Sequence, residues 1–322
     1  MILEDRIYGS TEVENPVILE LISSPEIQRL KDISQLGVPD EFYHFRGFSR
    51  YEHSIGVFLL LRRCRASLEE QVAGLLHDVS HTAFSHVYDW VIGRNEREDS
   101  QDNEHKKILL NSNIPRILSK YNLNPERISN LENFRLLDLE IPEICADRFD
   151  YMVRDPLTPE SIVRDFIKSI RIYNGKIVFS DKDSALDFGK HFLKVQSEHY
   201  ASAETTVRYH LFSEILKIAL NDRIISNSDF SRTETSIIEK LKKSKDNEIQ
   251  KRLNALSGKL NYRINEENPS IILKKKFRYV DPLYISAGGL SRLSETDQLF
   301  KEMIEKERRL NGLGTRVDIF LV

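Results

Sequence analysis

Between Leu75 and His86 the sequence LLHDVSHTAFSH places three histidines and an aspartate in a stretch of helical apolar spacing, and no other segment restricts the fold so tightly. Val72, Leu75, Leu76 and Val79 recur at the helical period and predict an apolar stripe facing a core. On a continuous helix His77 and His81 share a face one turn apart, with Asp78 about 100° round. The whole chain has nine histidines, so three within ten residues point to chemistry rather than packing. A metal of octahedral habit held by imidazole and carboxylate needs ligands from several elements and keeps positions open for water and substrate. His53, in YEHS, and Asp147, in ADRFDY, lie on separate predicted helices and can complete such a set.

From Pro16 to about Asp165 the pattern is almost wholly helical. PVILELISSPEIQRLKDISQLG predicts two helices, the second capped by Ser24 with Pro25 in its first turn and stopped at Gly37. A loop rich in aromatic residues follows, VPDEFYHFRGFSR, before helical spacing resumes; IPEICADRFDYMVRD predicts a further helix with Pro142 near its start. Asn174-Gly175 between two β-rich runs predicts a hairpin. Helices return over ALDFGKHFLKVQSEHYASAETTVRYHLFSEILKIAL, around 233–256 and near 295–310, while SIILKKKFRYV and TRVDIFLV read as strands. The expected fold is mainly α: a helical core over residues 1–165, then residues 166–322 as a helical and mixed α/β extension with a small β-hairpin.

With 40% apolar residues the chain can bury a sizeable core. A net charge of −3, from 47 basic and 50 acidic residues, excludes a global polycation. Local basic runs stand at 240–245 (KLKKSK), 274–278 (KKKFR) and 306–309 (KERR). The first and third read as solvated helical faces, whereas the second, beside aromatic residues, can meet phosphate at a subunit edge. Cys64 and Cys145 form no ligand or disulfide pattern and read as core residues. Without a run of about 18 apolar residues or a signal-peptide pattern in MILEDRIYGS, a cytoplasmic protein with no membrane association is expected.

Taken in order, YEHSIGV, LLHDVSHTAFSH and ADRFDYMVRD resemble the signatures of the HD-domain metal-dependent phosphohydrolases, in particular the deoxynucleoside triphosphate triphosphohydrolase branch. The resemblance runs over roughly residues 4–155 and implies a divalent metal, Mn²⁺, Mg²⁺ or Fe²⁺, held by His53, His77, Asp78 and Asp147. It further implies that His81, His86 and Asp89 orient groups around the reacting phosphate and help move protons, and that His105 protonates the leaving group. Arg50 and Arg148 match phosphate-contacting positions, Gln35 and Leu36 match residues near the base and sugar, and Tyr151 and Asp155 match residues near the sugar. A bound divalent ion lowers the pKa of water and polarises a phosphoryl oxygen, while Arg50 and a protonated histidine stabilise the transition state. Imidazole titrates near cellular pH, so His81, His86 or His105 is expected to supply that proton.

Departures from the branch fall on substrate contacts. Phe48 stands where a histidine is usual, PLTPESIV replaces an aromatic and glycine pattern after Asp155, Tyr200 replaces a phosphate-binding arginine, and Arg208 replaces a sugar-stacking tyrosine. Arg208, Lys194 or Lys190 is expected to compensate for the missing cation. The leading expectation is hydrolysis of a dNTP to deoxynucleoside and inorganic triphosphate by a homo-oligomer. The alternatives are a phosphodiesterase or nuclease that binds single-stranded nucleic acid, a hydrolase of another phosphorylated small molecule, and a non-catalytic nucleotide sensor.

Overall fold

A computed structural model of the chain describes residues 1–321. The helix Arg50–Arg63 occupies the middle of the first half, packed against the helices Leu68–Leu76 and Ala146–Arg154. Its start is set by a capping box: Ser49 accepts from the Glu52 backbone N–H and Glu52 reaches back to Ser49. Every residue from His53 to Leu61 is buried, so this helix is enclosed on all faces rather than amphipathic. Close packing requires small residues, and Gly56 and Gly74 supply them, the latter lying against Leu61 and Val57.

The mainly helical architecture expected from the periodicity is what the chain adopts. Pro16–Ile22 and Pro25–Arg29 form as two helices, with the Ser24 hydroxyl accepting from Ile27 N–H at 3.4 Å. The second is shorter than expected: a 3-10 turn, Leu30–Asp32, follows and the chain runs extended toward Gly37 at φ +75°. The helix expected around Pro142 begins only at Ala146. The hairpin forms as read, Ile170–Tyr173 with Lys176–Phe179, the turn residues Asn174 and Gly175 both at positive φ.

Lys176–Phe179 also pairs parallel with Leu283–Ser286, making a four-stranded sheet with Gly289–Arg292. Thr315–Ile319 forms a strand as expected, between Tyr262–Ile264 and Ile271–Leu273 in a three-stranded antiparallel sheet. An N-terminal hairpin, Ile2–Asp5 with Gly9–Glu12, was not signalled by alternation. SIILKKKFRYV is a strand only over Ile271–Leu273, and residues 274–282 leave it unpaired in any sheet. Neither cysteine is paired; Cys145 is buried and Cys64 half-buried. No helix among the described residues is long and apolar enough to cross a membrane.

One buried carboxylate ties the two halves together. Glu234 Oε1, at the start of the helix Glu234–Lys243, accepts from the backbone N–H groups of Ser34 and Phe84, each at 2.9 Å. Burial pushes its carboxyl up to about 8, against the two backbone hydrogen bonds that favour the ionised form. Because the folded value lies above the unfolded one, this group's stabilisation is complete below about pH 4.5 and is lost as pH rises through about 8. Wild type is expected to lose roughly 2–4 kcal/mol between pH 5 and 8.5 that Glu234→Gln does not lose. Urea unfolding of both proteins at the two pH values checks this, and equal losses would show that Glu234 does not titrate in that window.

Candidate functional site

Four side chains from three separate elements converge beside the Arg50–Arg63 helix. His53 Nε2 lies 2.9 Å from Asp147 Oδ1 and 3.2 Å from His77 Nε2. Asp78 places carboxylate oxygens 3.4 Å from His77 Nε2 and 3.9 Å from His53 Nε2. The outward ring nitrogens are already committed: His77 Nδ1 donates to the Gly74 carbonyl at 2.7 Å, and His53 Nδ1 donates to Asp150 at 2.8 Å. Both Nε2 atoms therefore present lone pairs to each other and to carboxylate oxygens, an arrangement that only a cation at the centre resolves.

A proton can do so in part. Burial lowers the His53 pKa, but its hydrogen bonds to Asp147 and Asp150 outweigh burial and hold the imidazole up at about 9. His53, His77 and Asp147 bring ligand atoms within 4.8 Å of one another, and Asp78 adds a carboxylate oxygen 3.4 Å from His77 Nε2. Imidazole with carboxylate is a donor set of a divalent transition-metal or magnesium-like ion, so the residues fit a metal, with His53, His77, Asp78 and Asp147 as its candidate ligands.

The ligand segment is not the continuous helix expected. The helix ends at Leu76, and residues 77–86 turn repeatedly, with Phe84 and Ser85 at φ +68° and +45°. His77 and His81 consequently share no helical face. The turns let Asp78 meet His77 and His81 (Nε2 to Asp78 Oδ1 3.3 Å) from one side and Arg50 (Nη1 to Oδ2 2.8 Å) from the other.

The cluster opens into a cavity of about 1220 Å³, solvent-filled mouth included, whose lining takes in Gln35, Leu36, Arg50, His81, His86, Arg148 and Tyr151 beside the candidate ligands His77, Asp78 and Asp147. Residues 50–167 match the HD domain family. Over 302 residues the chain is 34% identical to the uncharacterized protein YdhJ of Bacillus subtilis, covering 90% of this chain and 92% of that one.

The chain belongs to the HD-domain family of metal-dependent phosphohydrolases. Within that family it is 40% identical over 159 residues to the metal-dependent phosphohydrolase cns2 of Cordyceps militaris, across 49% of this chain and 46% of the relative. It is also 37% identical over 105 residues to the deoxynucleoside triphosphate triphosphohydrolase SAMHD1 of Bos taurus, a match covering 27% of this chain and 17% of that one.

Of the other residues expected at the site of this HD phosphohydrolase, His86 lines the cavity while Asp89, His105 and Asp155 do not. His86 Nδ1 meets Asp89 at 3.2 Å, while Asp89 also accepts from Ser100 N–H at 3.1 Å; Asp89 orients His86 and does not line the cavity. His105 likewise sits outside the lining, its Nδ1 3.1 Å from Ser80 Oγ. Asp155 lies behind the wall, 2.8 Å from His199 Nδ1, and supports Tyr200 rather than facing the cavity.

The expected proton donors are neutral in the substrate-free protein. Burial pushes His81 and His86 down to about 3, helped by Arg50 in both cases, and pushes His105 down to about 4, helped by His77.

Arg208 does not line the cavity. Its guanidinium donates to the Phe42, Leu256 and Gly258 carbonyls at 2.6, 2.7 and 3.2 Å and pairs with Glu204. Thr205 and Tyr209, on the neighbouring face of the same Ala203–Asn221 helix, line the cavity instead. Lys190 and Lys194 do not line it either, and Lys194 pairs with Glu198 at the surface. Besides Arg50 and Arg148, the cations that do are Lys275, Lys276 and Arg278, from the basic run read as a subunit edge.

Glu98, Gln101, Asp102, Asp138 and Tyr200 also belong to the lining. Among the residues missed, Asp150 had a signal: it follows Asp147 by three residues and so shares its helix face. Glu98 and Asp138 had none, since each arrives from a loop.

Proposed function

We propose that this HD phosphohydrolase hydrolyses a deoxynucleoside triphosphate to the deoxynucleoside and inorganic triphosphate. The observation that carries the reading is the junction of two unlike surfaces in one cavity: the metal-competent cluster with Arg50 and Arg148, and a wall of Gln35, Leu36, Tyr151 and Tyr200 suited to a sugar and base. Gln35 Oε1 is buried with no hydrogen-bond partner among the described residues, a polar group that a ligand donor satisfies. Leu36 is held in place because Tyr209 donates its hydroxyl to the Leu36 carbonyl at 2.8 Å.

When bound, the divalent ion supplies Lewis-acid polarisation of a phosphoryl oxygen and activation of water. The chain's own groups position the rest. Arg50 is fixed by Ser85 Oγ at 2.9 Å and Asp78 at 2.8 Å, so its charge meets the phosphoryl oxygens without reorganisation. Water's oxygen adds to the α-phosphorus, the bond to the sugar O5′ breaks, and O5′ leaves with a proton. His86, with Nδ1 committed to Asp89, retains Nε2 to move that proton. Its depressed pKa makes a proton on it strongly acidic, and the arriving phosphate charge raises its basicity.

Purified protein supplied with Mn²⁺, Mg²⁺ or Fe²⁺ and offered dNTPs, NTPs, nucleoside monophosphates and oligonucleotides is expected to release inorganic triphosphate from at least one dNTP, as read by product chromatography. No turnover of any nucleoside triphosphate with any of these metals overturns the reading.

Hydrolysis of another phosphorylated small molecule is the second reading, favoured by Phe48 and Tyr200, which face the cavity in place of polar or basic groups; the monophosphates in the panel test it. A nuclease reading loses support because Lys275 is buried facing inward rather than displayed on a surface track.

A further inference from the structure

Residues 274–282 run from the strand Ile271–Leu273 along the cavity wall without joining a sheet. Contacts from distant parts of the chain hold this strap down. Asn95 donates to the Lys274 carbonyl at 2.8 Å, Asn311 donates to the Lys275 carbonyl at 3.0 Å, and Asp281 N–H donates to the Pro142 carbonyl at 3.0 Å. Arg278 N–H donates to Gln196 Oε1 at 3.3 Å. So fastened, the strap delivers three cationic side chains to a cavity that already holds Arg50 and Arg148. The lining also carries five carboxylates, Asp78, Glu98, Asp102, Asp138 and Asp147, and Arg50, Arg148 and Arg278 pair with Asp78, Asp138 and Glu98. The cations that lack a carboxylate partner, and that an anionic ligand would compensate, are therefore Lys275 and Lys276.

Part of the compensation is internal. Arg278 forms an ion pair with Glu98, which is 2% exposed and held at φ +48°, a backbone conformation that costs energy for a residue with a β-carbon. The Lys275 ammonium lies 3.5 Å from the Tyr209 ring centroid. This is not enough: burial pushes Lys275 down to about 7 in spite of Glu98. Lys276 has no salt-bridge partner among the described residues. Behind burial, Arg278, Arg50 and Lys276 all lower the His86 pKa, which puts the strap's cations close to the groups around the reacting phosphate.

We propose that Lys275, Lys276 and Arg278 form a second phosphate locus, binding the phosphoryl groups beyond the one at the His53–His77–Asp78–Asp147 cluster, with Glu98 as the positioning residue for Arg278. The inference rests on the phosphohydrolase reading of that cluster. It restores on the strap the cationic binding that Tyr200 does not supply, and makes chain length of the polyphosphate the property recognised.

Calorimetric titration of the full, metal-loaded chain with inorganic tripolyphosphate and with orthophosphate tests it. Wild type is expected to bind tripolyphosphate at least about 30-fold more tightly than orthophosphate, the scale of one or two added charge-assisted contacts. The double variant Lys276→Gln/Arg278→Gln is expected to lose nearly all of that preference and keep its orthophosphate affinity. Glu98→Gln is expected to lose about as much preference as Arg278→Gln alone. An unaltered preference in the double variant, or none in wild type, overturns the second locus; tighter tripolyphosphate binding by Glu98→Gln overturns the positioning role. If Glu98→Gln fails to fold by circular dichroism, the partly exposed Lys276→Gln carries the test of the locus, and Arg278→Lys, which keeps charge but not the planar pairing, carries that of positioning.

Nucleotide turnover measured in parallel separates the two readings. A wild type that cleaves dNTPs with its rate and KM unchanged in the double variant refutes the strap alone. A strap-dependent tripolyphosphate preference without dNTP cleavage refutes the triphosphohydrolase reading alone.

Discussion

Asp78→Asn is expected to lower phosphohydrolysis by at least about 10²–10³-fold while leaving the chain folded, the scale on which single preorganised electrostatic groups act. Asp78 is 3% exposed and sits where the metal-ligand candidates meet Arg50, the arginine proposed to contact phosphate. Its carboxyl is held well below the usual range: burial acts to raise it, and Arg50, His77 and His81 together outweigh burial. Asparagine keeps the volume and an acceptor for Arg50 but removes the charge, so loss of function separates from loss of packing. Alanine at the same place would strand a buried guanidinium, at a cost of roughly 3–5 kcal/mol. The check pairs metal content by elemental analysis with product release. His77→Ala serves as the companion, expected to lose both metal and activity, and retention of both by either variant would remove these residues from the metal site.

Gly56→Ala is expected to be nearly as damaging, although Gly56 touches neither metal nor substrate. A β-carbon there would lie 2.0 Å from Arg154 Nη2 and 2.2 Å from Asp150 Oδ1. A long side chain usually swings away, but Arg154 is 1% exposed and pinned to Asp5 at 2.6 Å and Asp150 at 2.7 Å. The methyl must therefore displace a buried ion-pair network, destabilising the fold by roughly 3–5 kcal/mol.

Asp150 is also the group that holds His53 Nδ1. Its displacement is expected to weaken metal affinity by roughly 10–100-fold, the usual effect of losing the outer partner of a ligand histidine. Urea unfolding and a metal titration measure the two effects. An alanine variant with wild-type midpoint and metal affinity would mean that the cradle around His53 is not rigid.

These two sites differ in how far they could be read from residues alone. The histidines and aspartates of the cluster stood out because imidazole and carboxylate are unusual among apolar helical positions, and because YEHS, HD and ADRFD recur in a recognisable order. Gly56 lies within the same YEHSIGV motif, yet nothing local shows that its missing β-carbon makes room for a guanidinium that belongs to Arg154, nearly a hundred residues later. Arg208 fails in the opposite direction. Its place on the Ala203–Asn221 helix was legible, but one position along a helix turns a side chain by about 100°, enough to send it to three backbone carbonyls instead of the cavity.

What the sequence determined by itself is what short-range physics controls: the proline and serine helix starts, the Asn174-Gly175 hairpin, the enclosed apolar helix bearing His53, and the residue types offered to a metal. Tertiary structure alone decided where the helix before His77 stops, since the turns over 77–86 are held from outside by Glu234 and by the Phe230 carbonyl, which accepts from Ala83 N–H at 2.8 Å. It also decided that KKKFR faces inward. Backbone bonds from Asn95, Asn311 and Gln196 fasten that strap, and none of these partners is near it in the sequence. A charged run is indifferent to which side of itself meets water until the rest of the chain has been placed around it, and here the placement turns surface charge into cavity wall.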